Sequence, residues 1–167
     1  MRVAILHDYL NQLGGAERVL QSFLMLFPEA DLYTLLYNEA KTEGRFAGRV
    51  TATSFLDSEF VRRRHRIFIP LMPLAARLFT GRGHYDLVLS SSAGYAKGFR
   101  VEGEYHVSYC LSPLRYAWEL EYARSAPFAP WPLTRAFARP VAAWLRRWDR
   151  RASERVNFFI ADSKSRT

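Results

Sequence analysis

A histidine–aspartate pair, His7-Asp8, is followed a few residues later by Gly14-Gly15-Ala16-Glu17. Two glycines ahead of a helix let backbone N–H groups approach a ligand closely, and the helix start favours an anion such as phosphate. The residues before the pair, Asn11, Gln12 and Leu13, do not complete the spaced three-glycine fingerprint of dinucleotide sites. The pair therefore reads either as a diphosphate contact or as a tight turn. Glu17 falls in the first helical turn, where a carboxylate suits the dipole and caps the helix. His7 and Asp8 offer an imidazole and a carboxylate to bind a hydroxyl or act as base, or else to hydrogen-bond the loop beside them.

Two later segments add to this set. Ser90-Ser91-Ser92-Ala93-Gly94-Tyr95-Ala96-Lys97-Gly98 supplies hydroxyls and one lysine among small residues. Only three lysines stand against 21 arginines in the chain, which singles out Lys97 as an anion contact, the alternative being a solvated side chain. In Cys110-Leu111-Ser112-Pro113-Leu114-Arg115-Tyr116-Ala117-Trp118 an arginine stands beside two aromatics. Arginine takes phosphate or carboxylate in bidentate fashion, and aromatic faces stack on sugar rings. Arg115 reads as functional and Trp118 as core, with Tyr116 open to either role.

The elements that must position these groups alternate in type. Residues 3–6 form an apolar run ending at His7-Asp8, a buried parallel strand. Ala16, Val19, Leu20, Phe23, Leu24 and Phe27 make one helical stripe, stopped by Pro28. Residues 31–37 form the next strand, which completes a βαβ unit. Further strands are predicted at 49–53, 85–90, 106–110 and 157–162, with broken helix over 60–79 at Pro70 and Pro73. Pro127, Pro130 and Pro132 mark a loop. A long helix from Leu133 carries Phe137, Val141, Trp144, Leu145, Trp148, Ala152 and Val156 on one face, and Pro140 should kink or divide it. Strands alternating with helices predict a Rossmann-like three-layer α/β/α domain with a mainly parallel sheet. In such sheets ligands bind beyond the carboxyl ends of the strands, which selects the loops at 7–15, 90–98, 110–118 and 162–165.

With 167 residues, 49% hydrophobic and 15% aromatic, the chain can bury a core without disulfides or metal, and disorder is excluded. Its one cysteine, Cys110, can form no internal disulfide, and without a CxxC pair no metal site is expected. Cys110 reads as a buried strand thiol. The start reaches charge too early for a signal peptide, and the run at 67–76 is too short and proline-broken to span a membrane, which places the protein in the cytoplasm. Net charge is −3 over residues 1–60 and +11 over residues 61–167, so an anionic partner or an arginine-biased composition explains the basic part. Arg62, Arg63, Arg64 and Arg66 precede an apolar segment, as on an interfacial stretch that would sit peripherally on an anionic membrane. Nucleic acid is not expected, because the aromatics lie on helical stripes instead of between basic residues on a strand surface.

Taken together, His7-Asp8-Tyr9-Leu10, Gly14-Gly15-Ala16-Glu17-Arg18-Val19-Leu20, residues 26–35, residues 85–92, Leu111-Ser112-Pro113-Leu114-Arg115-Tyr116-Ala117-Trp118 and residues 159–163 resemble glycosyltransferase family 4. The resemblance runs in order along nearly the whole chain. It implies one half of a GT-B fold: residues 1–167 as the N-terminal acceptor-side domain, with the C-terminal donor-binding domain absent. It also implies retaining, metal-independent transfer from a nucleotide-sugar to a glycan or lipid-linked acceptor, with no cofactor in this chain. On that reading Gly14 and Gly15 approach the donor diphosphate, and Lys97, Arg115 and Tyr116 face acceptor or cleft. One position departs. Relatives often have histidine where this chain has Leu111, and leucine donates no hydrogen bond. The reading from another class is a non-catalytic nucleotide- or anion-binding Rossmann-like interaction domain.

Overall fold

The computed structural model describes residues 1–119, 121 and 131–161, with the backbone alone for 131–136. Six strands form one sheet, β1 (Val3–Leu10), β2 (Asp31–Tyr37), β3 (Val50–Thr53), β4 (Thr80–Ser92), β5 (Arg100–Cys110) and β6 (Phe158–Ala161). All pairings are parallel, in the order β3-β2-β1-β4-β5-β6. The order reverses between β1 and β4, and at such a switch point the two neighbouring loops diverge and leave a crevice. This is the predicted Rossmann-like α/β architecture.

Strand alternation builds two cores. Val3, Ile5, Leu32 and Leu89 face one side, where helix α1 (Gly15–Leu26) buries Leu20 against them. Ala4, Leu6, Tyr33 and Val88 face the other, packing on α3 (Met72–Leu78) and on Leu145 of α5 (Trp131–Ser153). Tyr33 and Tyr85 join their hydroxyls at 2.7 Å, and Tyr85 donates to Asp31 at 2.7 Å, so the buried phenols are satisfied.

Several predicted elements are longer or shifted. β1 runs on to Leu10, so His7 and Asp8 lie inside the strand and not beyond it. β4 begins at Thr80 and β5 at Arg100, through glycine- and charge-containing stretches that carry no apolar alternation. Pro70 sits in a 3-10 turn (His65–Leu71), between α2 (Glu59–Arg63) and α3, where Pro73 occupies the first turn. α5 passes through Pro140 as one helix and includes Pro132 in its first turn. Its buried row is Ala138, Ala142, Leu145, Asp149 and Ala152, while Phe137 and Trp144 are exposed. Pro127, Pro130 and the loop at 162–165 lie outside the described residues. Cys110 ends β5 half-buried, and burial pushes its thiol up.

His106 of β5 gives the fold an acid limit. Burial, assisted by the charge of Arg155, holds its imidazole down at about 4, against an ordinary 6.5. Its Nε2 meets Ser90 Oγ at 2.9 Å. The unfolded chain binds this proton near pH 6.5 and the folded chain only near 4, so stability is complete above the first value and is lost as pH falls towards the second. About 2 to 3 kcal/mol should disappear by the lower end of that window. Denaturant titrations at neutral and acid pH on the wild-type chain and His106→Gln check this. The variant should show a shallower pH dependence, and an unchanged slope contradicts the assignment.

Candidate functional site

A cleft of about 310 Å³ opens at the carboxyl ends of β1, β4 and β5, at the switch point. Its walls come from the loop after β1, the 3-10 turn after α2, the residues after β4, and α4 (Arg115–Trp118) after β5.

The floor follows from sheet register. Thr34, His7, Ser91 and Tyr109 are direct neighbours across β2, β1, β4 and β5. They share the α1 side with Ile5 and Leu89, because strand residues two apart point the same way. The rings of Tyr109 and Phe23 of α1 meet edge-on at 5.7 Å. His7 and Ser91 line the cleft and are buried, yet His7 Nδ1 and Ser91 Oγ have no hydrogen-bond partner among the described residues. Leaving buried polar atoms unpaired costs about 1 to 3 kcal/mol each, so this pair would hold a water or a ligand hydroxyl that enters the cleft.

Glu17 orients His7. The His7 Nε2 to Glu17 Oε1 distance is 3.9 Å, with both side chains buried. Burial alone would raise the Glu17 carboxyl; the neighbouring His7 and the N–H groups of residues 17 and 14 hold it below its ordinary value. A carboxylate beside Nε2 favours a proton on that nitrogen, and in the neutral ring this leaves Nδ1 as an acceptor. Ser91 Oγ can donate or accept. One hydroxyl that donates to His7 and accepts from Ser91 would satisfy both.

Asp8 points to the opposite face and builds the wall. Its Oδ2 accepts from Ala93 N–H at 2.7 Å, and its Oδ1 accepts from Tyr95 and Ala96 N–H at 2.8 and 2.5 Å. Burial pushes its carboxyl up against the opposing pull of His7 and these three donors. Gly94 is packed so closely on Leu114 that a Cβ would stand 2.7 Å from Cδ1, which fixes the turn against the loop of Arg115.

Gly14 and Gly15 open α1 beside the cleft, whose lining includes their neighbours Gln12, Ala16 and Glu17. Gly14 N–H donates to Glu17 Oε2 at 2.7 Å, so the carboxylate reaches back as a cap and occupies one N–H that an anion would use. Gly15 has ordinary φ, and a Cβ there would meet nothing within 4 Å. Neither conformation nor packing inside the chain requires glycine at 15.

Arg115 and Tyr116 line the cleft together with Leu111, Arg66 and His65. His65 contacts Asn11 Nδ2 at 3.4 Å, and burial with the charge of Arg66 lowers its pKa. Lys97 follows β4, on the same sheet edge as the Gly14-Gly15 helix start, but it does not line the cleft. Its Nζ lies 2.7 Å from Asp149 Oδ1 on α5, and both side chains are under a tenth exposed. The physical reason is burial: an ammonium sealed from water takes the carboxylate within reach, here on α5 and not in the cleft. Trp118 is not core either. It is 43% exposed, donates Nε1–H to Asp149 at 2.9 Å, and lies under the guanidinium groups of Arg150 and Arg146.

The arginines at 62–66 are largely engaged. Arg62 pairs with Asp57 at 2.7 Å, Arg63 pairs with Glu59, Arg64 covers the Phe60 ring at 4.8 Å, and Arg66 lines the cleft. Among the described residues no helix is long and apolar enough to cross a membrane, and no group of three or more His, Cys, Asp or Glu could hold a metal ion.

Sequence reasoning missed that Asn11, His65 and Arg66 line the cleft together, a meeting made by the 3-10 turn His65–Leu71, whose first residue contacts Asn11 and the Tyr9 ring of β1. It also missed that Glu17 serves His7 as well as the helix end. The signal available was their helical and strand positions on one face, which register alone reveals. No protein-family model, curated protein or solved structure matches this chain.

Proposed function

We propose that the chain is the acceptor-side N-terminal domain of a retaining, metal-independent glycosyltransferase of the GT-B kind. It would work at the cytoplasmic face of a membrane on a glycan or lipid-linked acceptor. The observation that carries this reading is the buried pair His7 Nδ1 and Ser91 Oγ, unpartnered among the described residues and set in the switch-point cleft. A sugar hydroxyl is both donor and acceptor, and the pair offers it one of each. His7, backed by Glu17, is then placed to orient the attacking hydroxyl and receive its proton, with Asp8 holding the wall that positions it. Tyr116 and Arg115 supply an aromatic face and a cation at the same mouth.

The nucleotide-sugar would be held mainly by a second domain across the cleft, its diphosphate passing the open flank of Gly15. One domain positions one reactant, so the chain alone should not turn over a nucleotide-sugar; measured turnover would refute the two-domain reading. The alternative, a non-catalytic anion-binding domain, draws on Arg66 and Arg115 at the rim, but the carboxylates of Asp8 and Glu17 on the cleft walls disfavour an anion deeper in.

Gly15→Val separates fold from function. With open space at that Cβ, stability should stay within about 1 kcal/mol of wild type. Joined to a donor domain, the same variant should lose roughly tenfold or more in kcat/KM for the nucleotide-sugar, because the isopropyl group occupies the path of the diphosphate. Normal kcat/KM in Gly15→Val removes the diphosphate contact.

A further inference from the structure

Away from the cleft, a second groove of about 600 Å³ opens between α3 and α5, near the amino ends of β5 and β6. Arg77, Arg100, Arg147, Arg151 and Arg155 line it, and no acidic residue does. None of the five has a carboxylate within 4 Å among the described residues, unlike Arg62, Arg63 and Lys97 elsewhere on the molecule. Arg147 and Arg151 stand one turn apart on α5, a like-charge spacing that works against a helix. The Arg155 guanidinium is held below its ordinary value by partial burial and by the charge of Arg100. Five cations converging without counter-charge is an arrangement that an anion relieves.

The rest of the lining suits a ligand with an apolar part. Trp144 is 44% exposed, and Leu74 beside it is exposed to the same extent. Trp148 forms a rigid side, because Gly98 packs on its ring with no room for a Cβ, and Tyr95 meets it at 5.6 Å.

We propose that this groove binds a phosphate-bearing ligand, either a soluble diphosphate or the phosphate of a lipid headgroup. Guanidinium groups would take its charges in bidentate fashion, and the attached ring or chain would lie on Trp144. The site stands apart from the switch-point cleft and does not depend on sugar transfer there.

The test uses the whole chain at low salt, with inorganic pyrophosphate as the soluble probe and phosphatidylcholine vesicles with and without phosphatidic acid as the lipid probe. Pyrophosphate should bind saturably and change tryptophan emission, and a Trp144→Phe chain should lose most of that change. Arg147→Ser/Arg151→Ser, at exposed positions, should weaken binding roughly tenfold or more, whereas Arg62→Ser/Arg63→Ser should leave it unchanged. Phosphatidic acid vesicles that capture the wild-type chain and release it to pyrophosphate identify a lipid source. Pyrophosphate binding without vesicle capture identifies a soluble one. Binding to neither probe, or equal loss in both double variants, overturns the proposal.

Discussion

Replacing Lys97 by methionine should destabilise the domain by about 3 to 5 kcal/mol, and replacing Asp149 by leucine should cost a similar amount. The pair is sealed from water and joined at 2.7 Å, so either single variant leaves a charge buried without its counter-charge. Removing both charges together is a different experiment. Lys97→Met/Asp149→Leu deletes the desolvation cost of both ions and should recover most of the loss. A remainder of about 1 kcal/mol is expected from Trp118, whose indole N–H loses its acceptor. Urea titrations of the four chains measure the coupling directly. Additive losses in the double variant would contradict a buried ion pair. The pair matters to function at one remove, since it ties the turn after β4, which Asp8 orders, to α5.

That pair also shows where sequence reading stops. The β strands with clear apolar runs were legible, and β2 falls at 31–37 as expected. The α5 stripe holds at Leu145 and Ala152, with Val141 and Trp148 partly buried against the core, but its large members Phe137 and Trp144 are exposed. The row that packs on the sheet is small, Ala138, Ala142 and Ala152, which lets the helix lie close. The buried face is rotated from the expected one by part of a turn about Leu145 and Ala152, which both share, and that rotation brings Asp149 inward to meet Lys97. Lys97 was singled out as an anion contact, but rarity in composition does not say whether the partner is a ligand or, as found, a carboxylate of the same chain. His7 and Asp8 were visible as chemistry-bearing types. Their division of labour was not, because it comes from strand alternation: adjacent residues point to opposite faces, one to Glu17 and Ser91, the other to the backbone of residues 93–96.

The second large effect concerns the cleft itself. His7→Phe keeps an aromatic ring of comparable size but removes the acceptor that Glu17 orients, and Ser91→Ala removes the neighbouring hydroxyl. If one sugar hydroxyl bridges the two, each change should weaken glycoside binding roughly tenfold. Catalysis in an enzyme joined to a donor domain should fall further for His7→Phe, roughly a hundredfold or more in kcat, because proton acceptance is lost as well as orientation. Ser91→Ala should act mainly on KM. Equal effects of the two substitutions on kcat would argue that His7 only orients the hydroxyl.

The measurement that bears most directly on the central claim is a titration of the whole chain, labelled with ¹⁵N in its histidine rings, followed by NMR. A panel of octyl glycosides is added in one series, and uridine and guanosine diphosphates in another. The account predicts that at least one glycoside shifts the Nδ1 resonance of His7 saturably, that Ser91→Ala weakens this response, and that neither nucleotide shifts it. A His7 Nδ1 resonance that moves with the nucleotides and ignores every glycoside would contradict an acceptor-side cleft.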